Sequence, residues 1–139
     1  MAIFTLVDAF ISVNSVTLSD HSNKVTIEDN RDAVDITAFG ATSKAITKGL
    51  GDAKVTITFF QDFAAGKTHA TLQPLIASTT PVPVEIRATS AARSATNPAS
   101  LMQGLLMTYN MLDGGVGEAS TINAEFSNGS QTGMTYPTS

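Results

Sequence analysis

The sequence predicts a mainly β domain: an antiparallel β-sandwich or barrel with one short α-helix. Three observations carry that reading. Apolar and polar residues alternate with period two over much of the chain, the pattern of strands buried on one face. A single segment groups its apolar residues at helical spacing. Short polar or glycine-rich links separate the alternating runs, as turns between strands do. Six to eight strands and one helix are the parts of a sandwich or barrel.

The elements follow in order. Ile11 and Val13 alternate with Ser12 and Asn14, then Val16 and Leu18 with Thr17 and Ser19. Val25 and Ile27 alternate with Thr26 and Glu28. The polar link Asp29-Asn30-Arg31-Asp32 joins that run to Val34, Ile36 and Ala38, so the two predict a hairpin. Val55, Ile57 and Phe59 mark the next strand. After Gly66, the stretch Thr68 to Ala77 predicts the helix, with Leu72, Leu75 and Ile76 on one face and Pro74 keeping it short or bent. Val82, Val84 and Ile86 follow, interleaved with Pro83, Glu85 and Arg87; Pro83 cannot donate to a ladder, so that strand starts there or lies at an edge. A last hairpin places Leu105, Met107, Tyr109 and Met111 on one face and turns tightly at Asp113-Gly114-Gly115. It returns with Ile122, Ala124 and Phe126 inward and Thr121, Asn123 and Glu125 outward.

Two loops exceed what a sandwich needs. One runs from Gly40 through Ser43, Lys44, Ile46, Lys48 and Leu50 to Ala53; the other, Ala88 to Pro98, is nearly all small residues. Loops of about a dozen residues are commonly functional or disordered. The segment 127–139 is polar and aperiodic and predicts a flexible tail unless a neighbour holds it.

At 139 residues the chain fits one domain, 1–139. It has no cysteine, so neither a disulfide nor a thiolate metal site is available. Twelve acidic against eight basic residues leave a net charge of −4, and only 14% of residues are charged, against about a quarter in an average chain. Such a low-charge exterior suits a surface later covered by partners, although an ordinary weakly charged monomer would share it. The acidic balance and lack of a basic cluster argue against specific nucleic-acid binding. The start, Met1 to Asp8, lacks the basic region of a secretory signal, and no apolar run approaches the ~20 residues that cross a bilayer. Cytoplasmic synthesis without membrane association is the expectation.

No catalytic pattern emerges. Gln61-Asp62-Phe63-Ala64-Ala65-Gly66-Lys67-Thr68 lies between a predicted strand and the helix, the setting of a phosphate-binding loop. Gln61 stands where that loop needs its first glycine, and Phe63 would crowd the wrap. Ser19-Asp20-His21 holds triad residue types, but neighbours on a strand face opposite ways. His69 has no second ligand at metal spacing. Asp29, Asp32 and Asp35 lack the calcium-loop pattern and its closing Glu, and the Asn128-Gly129-Ser130 sequon matters only in a secreted eukaryotic protein. The chain is expected not to be an enzyme and to take no cofactor or metal.

Five segments, in order, resemble the tail tube (major tail) proteins of long, flexible-tailed phages. They are Val34-Asp35-Ile36-Thr37-Ala38-Phe39-Gly40, Phe60 to Gly66, Ala70-Thr71-Leu72-Gln73-Pro74-Leu75, Val84-Glu85-Ile86-Arg87 through Ser94 to Pro98, and Leu112 to Glu118. Related sequences often carry tryptophans around the central strands and the helix; this chain has none. The resemblance implies a fold similar to the inner tube of type VI secretion. It implies rings, hexameric in most members, that stack into a tube through which DNA passes without specific binding. It implies a virion location and, as partners, further copies of the chain together with tape measure, tail terminator and baseplate proteins. Under it, Ser43, Lys44, Ile46, Lys48 and Leu50 become candidates for an inter-ring contact. Asp35, Thr37, Thr56, Thr58, Glu85, Asn123 and Glu125 become candidates for the channel wall. The rival readings are another virion subunit, such as a tail terminator or head decoration protein, and a free-standing binding sandwich. The second is disfavoured by the absence of Trp and the presence of only Tyr109 and Tyr136.

Overall fold

The computed structural model describes residues 3–139. Strand β1 (Phe10–Val13) turns at Asn14 and Ser15, both at positive φ, into the two-residue β2 (Val16–Thr17). A 3-10 turn (Ser19–His21) leads into β3 (Ser22–Asp35), followed by β4 (Ile46–Phe60), helix α1 (Thr68–Ile76), β5 (Val82–Arg87), β6 (Ala99–Tyr109) and β7 (Thr121–Asn128). All strand pairs are antiparallel and form one sheet in the order β2-β1-β5-β6-β7-β4-β3. The sheet curls: Val25 and Ile27 of β3, at one end, line a common cavity with Ile86 of β5 and with Phe4 and Leu6. The mainly β, one-helix expectation holds, in the form of a single curled antiparallel sheet.

The concave face is the core. Ile11, Val13, Val84, Ile86, Met102, Leu106, Ile122, Ala124, Phe126, Val55, Ile57 and Phe59 bury there at alternate positions, as one-sided burial of a pleated sheet requires. Helix α1 packs on it with Leu72 and Leu75, and Thr68 Oγ1 donates to the Phe60 carbonyl 2.9 Å away. Pro74 lies inside α1, which ends two residues later. Pro83 is the second residue of β5, a central strand, so it marks a strand start and not an edge.

Five expectations are corrected. Asp29-Asn30-Arg31-Asp32 is no turn: β3 runs through it, with a bulge between Arg31 and Ala33, and pairs with β4 from Ser22 to Asp35. Beyond about Asn30 this hairpin leaves the core and both faces are wet, so polar residues are compatible with strand. For the same reason the expected loop 40–53 is loop only to Ala45. Ser43 and Lys44 lie in the connection, whereas Ile46, Lys48 and Leu50 belong to β4. In β6 the inward residues are Met102, Gly104 and Leu106, with Met107 exposed; a bulge between Leu106 and Thr108 then brings Tyr109 inward. The link from β6 to β7 spans 110–120 and is no tight turn; it is held by Ser120 Oγ on the Asp113 carbonyl and by the Glu118 side chain on the Gly115 amide.

The C-terminal segment is tied to the body by its own chain, which is the fifth correction. Past Asn128 it loops out and returns beside β6, where Thr135 and Leu101 exchange backbone hydrogen bonds of 2.9 Å. Ala99 donates to the Pro137 carbonyl, and Met134 is buried.

Candidate functional site

The structure gathers four of the channel candidates. On the convex face Thr56 stands opposite Glu125 and Thr26, and Thr58 opposite Asn123 and Lys24. Thr58 Oγ1 donates to Asn123 Oδ1 at 2.9 Å, and Thr108 and Asn110 extend the patch past β6. Inward burial of Ile57 and Ala124 forces these neighbours outward, since side chains alternate along a strand. The patch is rich in hydroxyl and amide groups. Its charges balance: Lys54 lies 3.1 Å from Glu125 and opposite Glu28, and Lys24 borders Thr58.

The other three candidates lie elsewhere. Glu85 on β5 accepts from Arg93 Nε and Nη2 at 3.1 and 2.7 Å and faces Arg87 at 3.7 Å. The Arg93 hydrogen bonds hold its carboxyl below the usual glutamate range. It therefore ties down the 88–98 loop, while Arg87 lies 4.0 Å over the ring of Phe10. Asp35 and Thr37 form the tip of the β3–β4 hairpin. Asp35 Oδ1 accepts from the Thr37 amide, which lowers its pKa, and Thr37 Oγ1 accepts from the Ala45 amide.

That hairpin is an arm. From about Asn30 to Leu50 it pairs only with itself, and Val34, Ile36, Phe39, Ile46 and Leu50 are exposed, Leu50 by 82%. At its base Tyr136 Oη donates to Asp29 Oδ2 at 2.6 Å, and this hydrogen bond lowers the Asp29 pKa. The N-terminal segment adds a second apolar strip, Ile3, Phe4, Leu6 and Val7, all exposed. The sheet also presents two open edges, β3 and the short β2.

Two features escaped sequence reasoning. Val34, Ile36 and Ala38, expected as the second strand of a hairpin, instead lie exposed on the arm. Asp20-His21 lies in a 3-10 turn, where His21 Nδ1 is 2.9 Å from Asp20 Oδ1 and Nε2 is 2.8 Å from Asp62 Oδ2. The residue types were visible; the meeting of His21 with Asp62, 41 residues away, required the topology. His69 contacts Tyr109 Oη through Nδ1 and packs at a tilt against Phe63. No group of three or more His, Asp or Glu that would hold a metal occurs among the described residues, nor is any helix there long and apolar enough to cross a membrane.

No protein-family model matches the chain, and no curated protein matches it in sequence. Solved structures do resemble it. A chain of the virion of a native gene transfer agent particle superposes with a TM-score of 0.73 at 9% identity, covering 94% of this chain and 95% of that one. A chain of the tail of an empty gene transfer agent particle, refined with C6 symmetry, gives 0.69 at 10% identity over 94% and 96%. A chain of the six-fold symmetrised baseplate of an anti-feeding prophage gives 0.56 at 11% identity over 99% and 94%. The fold is shared with these chains. Those chains come from assembled tail, virion and baseplate particles.

Proposed function

We propose that the chain is a structural virion protein, a subunit of a phage-type tail tube that closes into rings, six-fold by preference, which stack around a DNA channel. The observation that carries this reading is the arm: a two-stranded ribbon with exposed apolar residues and no partner strand among the described residues of its own subunit. An isolated two-stranded ribbon is at best marginally stable in water, and exposed apolar patches of this kind mark interaction sites. In this reading Ser43, Lys44, Ile46, Lys48 and Leu50 contact the next ring. The open edges of β3 and β2 pair with neighbours in the same ring, since a head-to-tail contact whose rotation closes gives a ring. The balanced hydroxyl face with Thr56, Thr58, Asn123 and Glu125 lines the channel, where DNA slides without adhering; Asp35, Thr37 and Glu85 drop out of that set. Tape measure, terminator and baseplate proteins are the remaining partners. The role is mechanical and needs no catalytic group.

A second reading, a single baseplate or tail-end ring, is favoured by the likeness to a baseplate chain. Negative-stain microscopy of the purified chain at rising concentration separates the two. Stacked tubes support the tube subunit, and single closed rings support the baseplate reading. A protein monomeric at every concentration and absent from purified particles refutes both. Replacing 37–44 by a two-residue turn should leave the body folded, because loop length alters closure entropy by only about 1 kcal/mol, and should abolish stacking.

A further inference from the structure

We propose that His21 is a pH-sensitive clasp that fixes the 61–67 loop to the 3-10 turn, closed while the imidazole is protonated and released when it loses its proton. The geometry carries this. Both ring nitrogens face carboxylates, Nδ1 facing Asp20 and Nε2 facing Asp62. Ionised carboxylates only accept hydrogen bonds, so both contacts are satisfied only when both nitrogens carry hydrogen. A neutral ring donates through one nitrogen and turns a lone pair toward the other carboxylate, replacing attraction by repulsion.

Asp62 is the joint that the clasp grips. Its other oxygen accepts from the Ala64 amide at 2.9 Å, and its carbonyl accepts from the amide of His69, in the first turn of α1. Beyond these contacts the loop is held by Lys67, 3.6 Å from Asp20, and at Gln61, whose side chain donates to Tyr109 Oη and the Met111 carbonyl and whose amide donates to the Ser120 carbonyl. It carries Phe63, exposed and packed at a tilt against His69, so the clasp helps fix where this apolar side chain is presented.

The charged groups bearing on His21 are Asp20 from its own turn and Asp62 from the loop, with Lys67 behind Asp20. Strand β1, which packs against the turn, has no titratable side chain, and Lys24, the first charge on β3, lies on the polar sheet face. The hydrogen bond to Asp20, then that to Asp62, raises the His21 pKa, while burial opposes the rise. A raised folded-state pKa places the full stabilisation below the open-state value of about 6.5 and loses it as pH climbs through the folded value. The clasp is thus closed in acid and loosens toward alkaline pH. It is independent of the tube assignment.

The test is NMR on the full chain from pH 5 to 9, following the His21 ring and the exchange of the Ala64 and Lys67 amides, with Ala124 in β7 as reference. His21 should titrate above the free value. Loop opening, corrected for intrinsic exchange, should rise by up to tenfold per pH unit above about 6.5 and then level off, while Ala124 stays constant. In Asp62→Asn, which keeps the side-chain size, the His21 titration should fall toward the free value and the loop profile flatten; His21→Gln should abolish the dependence. A His21 that titrates at the free value, a flat wild-type profile, or an unchanged profile in His21→Gln overturns the proposal. Should His21→Gln fail to fold, Asp62→Asn decides alone.

Discussion

Replacing Ile46 and Leu50 by threonine separates folding from assembly. Threonine is a good strand former, and both residues already face water, by 67% and 82% of their surface. The subunit therefore loses almost nothing, and its unfolding free energy should change by no more than an ordinary surface substitution, about ±0.5 kcal/mol. In the stacked ring proposed above the same side chains would be buried. Full burial of such a side chain contributes about 1.5–3 kcal/mol, and threonine keeps a methyl group, so the pair should cost about 2–4 kcal/mol per contact. That corresponds to a roughly 30- to 700-fold weaker contact, repeated at each subunit of the ring. Sedimentation velocity and negative-stain counts of tube length read the loss, with thermal unfolding of the monomer as control. Phe126→Ala is the converse: Phe126 is fully buried, so truncation should cost about 3–5 kcal/mol and weaken the subunit itself. If the double threonine variant unfolds early, or forms tubes of normal length, the arm is not the stacking contact.

Two further outcomes follow from side-chain contacts. Glu85→Gln weakens the tether of Arg93. Because the folded pKa of Glu85 is depressed, its contribution is present above the unfolded value of about 4.5 and is lost as pH falls through the folded value. The Tm gap between wild type and variant should thus be widest at neutral pH and close below pH 4.5; a constant gap from pH 7 to 3 would contradict the tether. Tyr136→Phe removes the hydroxyl that reaches Asp29. Amide exchange at Leu101 and Thr135 should quicken severalfold with little change in global Tm, and unchanged exchange would show that the C-terminal segment is held by its backbone pairing alone.

The core strands were legible because burial on one face imposes alternation. Ile122, Ala124 and Phe126, and Val55, Ile57 and Phe59, face inward as their spacing implies, and so Thr56, Thr58, Asn123 and Glu125 were placed correctly as outward residues. Legibility failed wherever that constraint lapsed. In β6 both phases offered apolar residues, Leu105 and Met107 against Met102 and Leu106, and a bulge after Leu106 serves the second phase first and then admits Tyr109. In the arm no face is buried, so alternation carries no information, and Asp29 to Asp32 looked like a turn. Glu85 had the right parity for an outward position. Its neutralisation by Arg93, eight residues along a loop of small residues, depends on how that loop folds back.

If the chain is a ring subunit as proposed, its open edges must be protected until it assembles. Edge strands invite indiscriminate pairing, and charge, bulges and brevity are the usual protections. Edge strand β3 carries Lys24, Glu28, Arg31 and Asp32, and its bulge falls between Arg31 and Ala33. At the other end β2 is only two residues long. The apolar surface, by contrast, is concentrated on the arm and the N-terminal strip. Hydrophobic attraction is non-directional, so placing it on a ribbon that projects from the body limits it to partners that can receive that ribbon. The edges then need to pair only after the arm has set the register. On that order of events, charge reversal along β3 should disturb ring closure more than the initial association of subunits. Arm substitutions should block association itself.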